Sequence, residues 1–65
     1  QSLVQNIKEL DEIEFDFRQI DLIGPAFADE LLRRSKEKNI NISVSWINTT
    51  RTINMLMSRA AKRFD

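Results

Sequence analysis

Apolar and polar residues alternate strictly in two stretches of the chain, at residues 13–18 and 41–46. A period of two is typical of β-strands, so we predict a strand at each stretch. Between them, Gly24-Pro25 marks a helix start, and apolar residues recur with helical spacing up to Leu32. We predict a helix over residues 25–37. A strand, a helix and a strand in succession predict parallel, adjacent strands joined by a right-handed crossover.

Both ends of the chain have the spacing of helices. Residues 2–10 open with Ser2-Leu3-Val4-Gln5, which fits a capping box, and further apolar residues follow at helical intervals. Near the other end, three candidate N-caps, Asn48, Thr49 and Thr50, precede a second pattern. Its apolar stripe consists of Ile53, Leu56, Met57, Ala60 and Phe64. The predicted order of elements is therefore α-β-α-β-α.

The alternation in both strands predicts how the sheet is covered. Parallel strands buried on both faces are normally continuous apolar runs, so we expect the helices to cover mainly one face. The residues expected on the open face are Glu14, Asp16, Asn41, Ser43 and Ser45. Those expected to share one core are Phe15, Phe17, Ile42 and Val44. Two strands make a poor sheet, so we also expect further upstream strands or self-association through a strand edge or the open face.

Composition limits the chemistry of the chain. It spans 65 residues, which suits one domain over residues 1–65, and Gln1 in place of Met suggests an excerpt of a longer protein. Neither Cys nor His occurs, so we expect no enzyme, no metal site and no cofactor. No apolar run has the length of a membrane span and no signal-peptide pattern is present, so we expect no membrane contact and a cytoplasmic location.

Charge is balanced overall but distributed unevenly. Residues 1–32 have a formal charge of −6 and residues 33–65 one of +6. We expect the two halves to neutralise each other in the folded domain, and nucleic-acid binding is disfavoured because such domains are usually net basic. On the first long helix, Asp29 and Glu30 are expected to pair with Arg33 and Arg34 at i+4, and Asn39 is a candidate left-handed cap.

Several side chains could have either a purely structural role or a functional one. The acidic residues Asp16, Asp21, Asp29 and Glu30 form a solvated surface more readily than a Mg²⁺ cluster, since no supporting motif accompanies them. Trp46 is expected to pack in the core. Met55 lies off the apolar stripe of the last helix and is a candidate contact residue. The basic residues of that helix, Arg51, Arg59, Lys62 and Arg63, form either a solvated face or a site for an acidic partner.

Two runs of the sequence resemble a known family. Asp16-Phe17-Arg18-Gln19-Ile20 is similar to the "LDFSGV" strand of that family, and the run from Ile23 to Leu31 is similar to its "IGQAFADEL" helix start. The family is the bacterial STAS-like family of unknown function. The piece Phe27-Ala28-Asp29-Glu30-Leu31 is the most specific. The resemblance extends over residues 2–61 and implies a small α/β fold related to STAS domains of sulfate transporters and anti-sigma-factor antagonists.

The resemblance also implies differences from its broader relatives. STAS domains have a four-stranded sheet with helices largely on one side, and their opening two strands are expected to be absent here. In phospho-regulated antagonists, the helix start contains a Ser that accepts phosphate. Ala26 occupies that position here, so the resemblance implies no partner switching by phosphorylation of this residue.

We therefore expect a non-enzymatic signalling module that binds a protein, with a histidine-kinase-type ATPase of the anti-sigma kind as the partner that the resemblance implies. The loop at the carboxyl end of the first predicted strand is the expected docking surface. Its residues are Asp21, Ile23, Gly24, Pro25, Ala26 and Asp29, with the two carboxylates offering contacts to a basic partner. The alternatives are an oligomerisation or accessory domain of a larger protein, and a small anion- or nucleotide-binding domain that uses the Gly24 turn.

Overall fold

The elements follow the order β-β-α-β-α in a computed structural model of the chain, which describes residues 3–9, 11–38 and 41–64. They are β1 (Val4–Glu9), β2 (Glu12–Asp16), α1 (Pro25–Lys38), β3 (Ser43–Ile47) and α2 (Arg51–Arg63). The strands form one three-stranded sheet in the order β1-β2-β3. The predicted α/β class is therefore confirmed, although the first element is different from the one expected.

The parallel crossover predicted from the sequence is present. β2 pairs with β3 in parallel, with Phe15 beside Trp46 and Asp16 beside Ile47, and α1 connects the two strands. The strand and helix predictions at 13–18, 25–37 and 41–46 thus fall on β2, α1 and β3, with ends that differ by a few residues.

The helix predicted over residues 2–10 is wrong. Val4–Glu9 is a strand that pairs antiparallel with β2, and the register shifts between Ile7 and Glu9. The apolar spacing of four between Leu3 and Ile7 fits one face of a strand as well as one face of a helix, and pairing with β2 decides between them. Two predicted helix caps, Ser2 and Asn39, lie outside the described residues, as do Leu10 and Ile40. The sheet therefore has a third strand, ahead of β2, besides the two that the sequence predicted.

One hydrophobic core holds the elements together. Phe15 and Phe17 extend from β2 and the residue after it, and they pack with residues of both helices and of β3. The buried members are Ile13, Phe15, Phe17, Ala28, Leu32, Ile42, Ile53, Met57 and Ala60. Val44 and Trp46 are partly buried against this cluster, so the predicted shared core is confirmed. The Trp46 indole N–H also donates to Asn54 Oδ1 at 2.8 Å, which joins β3 to α2.

Both helices pack against the same face of the sheet, as the alternation predicted. On the other face Ser43 and Ser45 are exposed and Glu14 is half-buried, and Asn41, just ahead of β3, is exposed as well. Asp16 contradicts the expectation of an open polar residue, because it is only 6 % exposed. Its burial has a local cause in the loop that follows β2, described below.

The structure confirms one of the predicted helix caps and one predicted ion pair, and it contradicts another predicted ion pair. Thr50 caps α2, with its Oγ1 accepting from the Ile53 N–H at 3.2 Å. Glu30 pairs with Arg34 at 2.6 Å as predicted. The predicted pair of Asp29 with Arg33 is wrong. Arg33 instead contacts Glu30 and Glu37, at 2.6 and 2.7 Å, while the Asp29 carboxylate binds Arg63 of α2 and so joins the two helices.

A pair of identical substitutions tests where the core lies. Leu32 is 1 % exposed and Leu22 is 76 % exposed. We expect Leu32→Ala to lower the free energy of unfolding by about 2–5 kcal/mol, because it leaves a cavity in the core. Leu22→Ala should change it by less than about 0.5 kcal/mol. Urea unfolding followed by the fluorescence of Trp46 measures both, and similar losses for the two variants would contradict this assignment of the core.

Candidate functional site

The candidate site is the segment that leads from β2 to α1 at the carboxyl end of the parallel strands. In open α/β sheets this end is where ligands bind. Phe17 anchors the segment: its side chain is fully buried and its N–H donates to the Ile47 carbonyl at 3.0 Å. A turn follows, closed by the Ile20 N–H donating to the Phe17 carbonyl at 2.9 Å. The loop therefore leaves a fixed point of the sheet rather than a free strand end.

Asp16 fastens the two parallel strands together at this end. Its Oδ1 accepts from the Arg18 backbone N–H at 2.9 Å and from the Asn48 side-chain amide at 3.0 Å. Its Oδ2 accepts from the Arg18 guanidinium at 3.2 Å. Asn48 directly follows β3 and has a φ of 57°, a left-handed conformation that Asn tolerates better than most residues. These contacts of Asp16 with Arg18 and Asn48, called the Asp16 clasp below, link the ends of the two strands and explain why Asp16 is buried.

These contacts set the pKa of Asp16. The hydrogen bond from Asn48 lowers the pKa of the carboxyl below its usual value, and the Arg18 backbone N–H and guanidinium charge lower it further. Burial of the carboxyl raises its pKa, but by less than the hydrogen bonds and the charge together lower it. Asp16 is therefore held as a carboxylate at neutral pH, which is the form that accepts all three hydrogen bonds.

The start of α1 uses the donors that an anion site would need. The Gly24 carbonyl accepts from the Phe27 N–H at 3.1 Å and the Ala28 N–H at 3.3 Å. Pro25 has no N–H. Of the first four helical positions, this leaves the amide of Ala26 for an incoming anion. The geometry accordingly disfavours the anion- or nucleotide-binding alternative, which requires several convergent N–H groups.

An open apolar groove lies beside this helix start, with a volume of about 480 Å³. Leu22 and Phe27 border it and are 76 % and 41 % exposed, while Ile20 and Ile23 are half-buried. The lining residues, called the groove residues below, are Leu3, Ile20, Leu22, Ile23, Gly24 and Phe27. The groove thus combines the residue before β1, the loop and the first turn of α1 in one apolar surface.

The predicted site residues are brought to this region but differ in their surroundings. Ile23 and Gly24 line the groove, whereas Asp21, Pro25 and Ala26 are exposed beside it. Asp29 is half-buried and is bound to Arg63, so replacing it with Lys would place two cations together and disturb the contact between the helices.

Four groove residues were not on the predicted list, namely Leu3, Ile20, Leu22 and Phe27. A signal for two of them, Ile20 and Leu22, exists in the sequence. Together with Ile23 they place three apolar residues within four positions, which is more than a loop that merely connects two elements requires. Leu3 had no such signal, because its contribution depends on β1 being a strand.

No cluster of three or more His, Cys, Asp or Glu side chains suited to a metal ion occurs within residues 3–9, 11–38 and 41–64. In the same part of the chain, no helix has the length and apolar character needed to cross a membrane.

A family model described as "STAS-like domain of unknown function (DUF4325)" matches residues 1–54. The match covers most of the chain, both runs that carried the sequence resemblance and all elements up to the first turn of α2. It confirms that resemblance. Comparison with the curated proteins and with the solved structures found no match.

A test of the clasp exploits the pKa of Asp16. The pKa of Asp16 is lowered in the folded state. The carboxylate therefore stabilises the fold at pH values above its unfolded-state pKa of about 3.9, and this stabilisation is lost as the pH falls through the lower folded-state pKa. We expect Asp16→Asn to reduce the free energy of unfolding at pH 7, with a difference from the wild type that shrinks on acidification below about pH 4. Asp21→Asn, in an exposed position of the same loop, is the control and should change little at either pH. A pH-independent difference for Asp16→Asn in urea unfolding would contradict the clasp.

A second test concerns the need for glycine at the helix start. Gly24 does not have a positive φ, and a Cβ built on it meets no atom within 4 Å. We expect Gly24→Ala to keep the fold and to change the free energy of unfolding by less than about 0.5 kcal/mol, because the entropy that it removes from the unfolded chain is offset by the poorer fit of Ala at the helix N-cap. Thermal unfolding by circular dichroism measures this, and loss of the folded state would show that the backbone here requires glycine.

Proposed function

The chain belongs to the family of STAS-like domains of unknown function, and we propose that it is a non-enzymatic module that binds a protein partner through the groove residues. The observation that carries this proposal is the exposure of Leu22. A leucine 76 % exposed beside a partly exposed phenylalanine, at a helix start, leaves an apolar surface in water. Such grouped exposure marks interaction sites more often than scattered apolar residues do.

The position of the groove supports docking. It lies at the carboxyl end of β2, and its backbone is held by Phe17 and by the Asp16 clasp. A partner would therefore meet a surface that is largely formed before binding, which limits the entropy lost on association. The apolar side chains would supply the buried centre of the interface, which in known interfaces accounts for most of the binding energy.

The rim indicates the chemistry of the partner. Asp21 is exposed next to Leu22, and Asp29 keeps part of its side chain exposed while it binds Arg63. An apolar side chain flanked by basic residues on the partner would complement this surface. The family resemblance suggests a histidine-kinase-type ATPase or another signalling protein. With Ala26 at the position of the phosphate acceptor, binding would be controlled by something other than phosphorylation of that residue.

A second candidate function is an accessory or oligomerisation role. Val4 and Ile47 are 49 % and 37 % exposed, and they flank Asp16 on the sheet face that the helices leave open. A neighbouring domain or a second copy of the chain could cover that face. Sedimentation velocity of the wild type against Val4→Ser/Ile47→Ser addresses this role separately, because the variant should shift a self-associating chain toward monomer.

The docking proposal is tested by isothermal titration calorimetry with a purified histidine-kinase-type ATPase from the organism that encodes the chain. We expect Leu22→Ser to weaken binding by at least about tenfold, and Leu22→Ser/Phe27→Ser to abolish it, since apolar anchors at an interface centre contribute about 2 kcal/mol or more each. Asp21→Lys should weaken binding by a smaller factor that declines at high salt.

The control is Val4→Ser, which removes an apolar side chain that is 49 % exposed from the open sheet face. It should leave the affinity unchanged. Equal losses for Leu22→Ser and Val4→Ser would mean that the interface is not the groove. A wild-type affinity retained by the folded Leu22→Ser/Phe27→Ser protein would overturn the proposal.

A further inference from the structure

A second surface lies on α2, on the side opposite the core. The sequence of this helix, RTINMLMSRAAKR, contains no acidic residue. With about 100° per residue, Arg51, Met55, Arg59 and Lys62 fall within an arc of about 80°. Ile53, Met57 and Ala60, which are buried, lie on the other side. All four residues of the first set are exposed, and we call them the α2 stripe.

The cations of the α2 stripe differ from the other arginines of the domain. Arg18 pairs with Asp16, Arg33 and Arg34 pair with acidic residues of α1, and Arg63 pairs with Asp29. Within the residues that the structure describes, no acidic side chain contacts Arg51, Arg59 or Lys62. Among the described residues of the basic half, Arg33, Arg34 and Arg63 are thus neutralised by acidic partners, whereas the charges of the α2 stripe have no such partner.

The stripe also has an apolar centre. Met55 is 47 % exposed and lies one helical turn from Arg51 and one from Arg59. Met is flexible and polarisable, which suits it to contact surfaces that adapt to a partner. A phosphate backbone offers nothing for such a side chain to bury against, and the domain has zero net charge, so nucleic acid does not complement the stripe. A membrane surface fits poorly too, because the broad apolar face that an interfacial helix inserts is buried in the core here.

We propose that the α2 stripe binds an acidic segment of a protein that places an apolar side chain against Met55 between carboxylates that pair with Arg51, Arg59 and Lys62. Charge complementarity selects the acidic segment, and Met55 selects a polypeptide over other polyanions. This site is separate from the groove residues, none of which belongs to α2. It stands independently of the function proposed above.

The test uses the full chain and a fluorescein-labelled peptide of Glu residues with a central Leu, followed by fluorescence anisotropy. We expect binding that weakens with salt, since the charges are exposed. Arg51→Gln/Arg59→Gln/Lys62→Gln should reduce the affinity by about tenfold or more, the sum of three exposed ion pairs. Met55→Ala should reduce it by about threefold, and should leave binding of a peptide of Glu residues alone unchanged.

Matched controls separate this site from general charge and from the groove. Arg33→Gln/Arg34→Gln removes two cations of α1 that already have acidic partners, and Leu22→Ser alters the groove; both should bind the peptide like the wild type. Failure of the wild type to bind the peptide would overturn the proposal. So would equal losses for the α1 and α2 charge variants, or tighter binding to a DNA duplex or to phosphatidylserine vesicles than to the peptide.

Discussion

The parallel pairing of β2 with β3 is the constraint on which the rest of the molecule depends. Parallel neighbours cannot be joined by a tight turn, so the chain must cross the sheet, and α1 does so. The crossing brings Ala28 and Leu32 onto Phe15 and Phe17, which forms one side of the core. It also leaves the loop before α1 at the carboxyl edge of the strands. The candidate site is therefore a by-product of how the sheet is connected.

The Asp16 clasp stabilises this pairing at the carboxyl ends of the two strands. Phe17 adds one more backbone hydrogen bond to Ile47 past the end of β2, and the carboxylate then binds Asn48 past the end of β3. One side chain thus satisfies polar groups of both loops and fixes where each begins. In the sequence, Asp16 appeared as one more polar residue of an alternating strand, and Asn48 as one of three possible helix caps. Their partnership joins positions 32 residues apart, which no local pattern reveals.

Elements with an unambiguous period could be predicted from the sequence, and β1, whose apolar spacing fits two periods, could not. Pro25, the apolar spacing of α1 and the Thr50 cap of α2 act through neighbouring residues, and the structure has them as expected. β1 has too few apolar residues to distinguish a period of two from one of 3.6, and its state is decided by β2. The structure has the predicted loop at the carboxyl end of the parallel strands, as the topology implied. The groove beside it could not be predicted, because Leu3 reaches it only through the misassigned strand. Ion pairing showed the same limit: Asp29 had a suitable partner on its own helix and found Arg63 on the other.

Leu3 has a consequence for the dynamics of the domain. It lines the groove and directly precedes β1, an edge strand of the sheet that pairs with β2. Edge strands open at a lower free energy than central ones, and opening β1 would withdraw Leu3 from the groove wall. Anything seated against that wall would shift the equilibrium toward the closed strand, and a closed strand would in turn raise affinity for the occupant by the same factor. Occupancy of the groove and amide-exchange protection of the amino-terminal hairpin are therefore two measures of a single thermodynamic coupling.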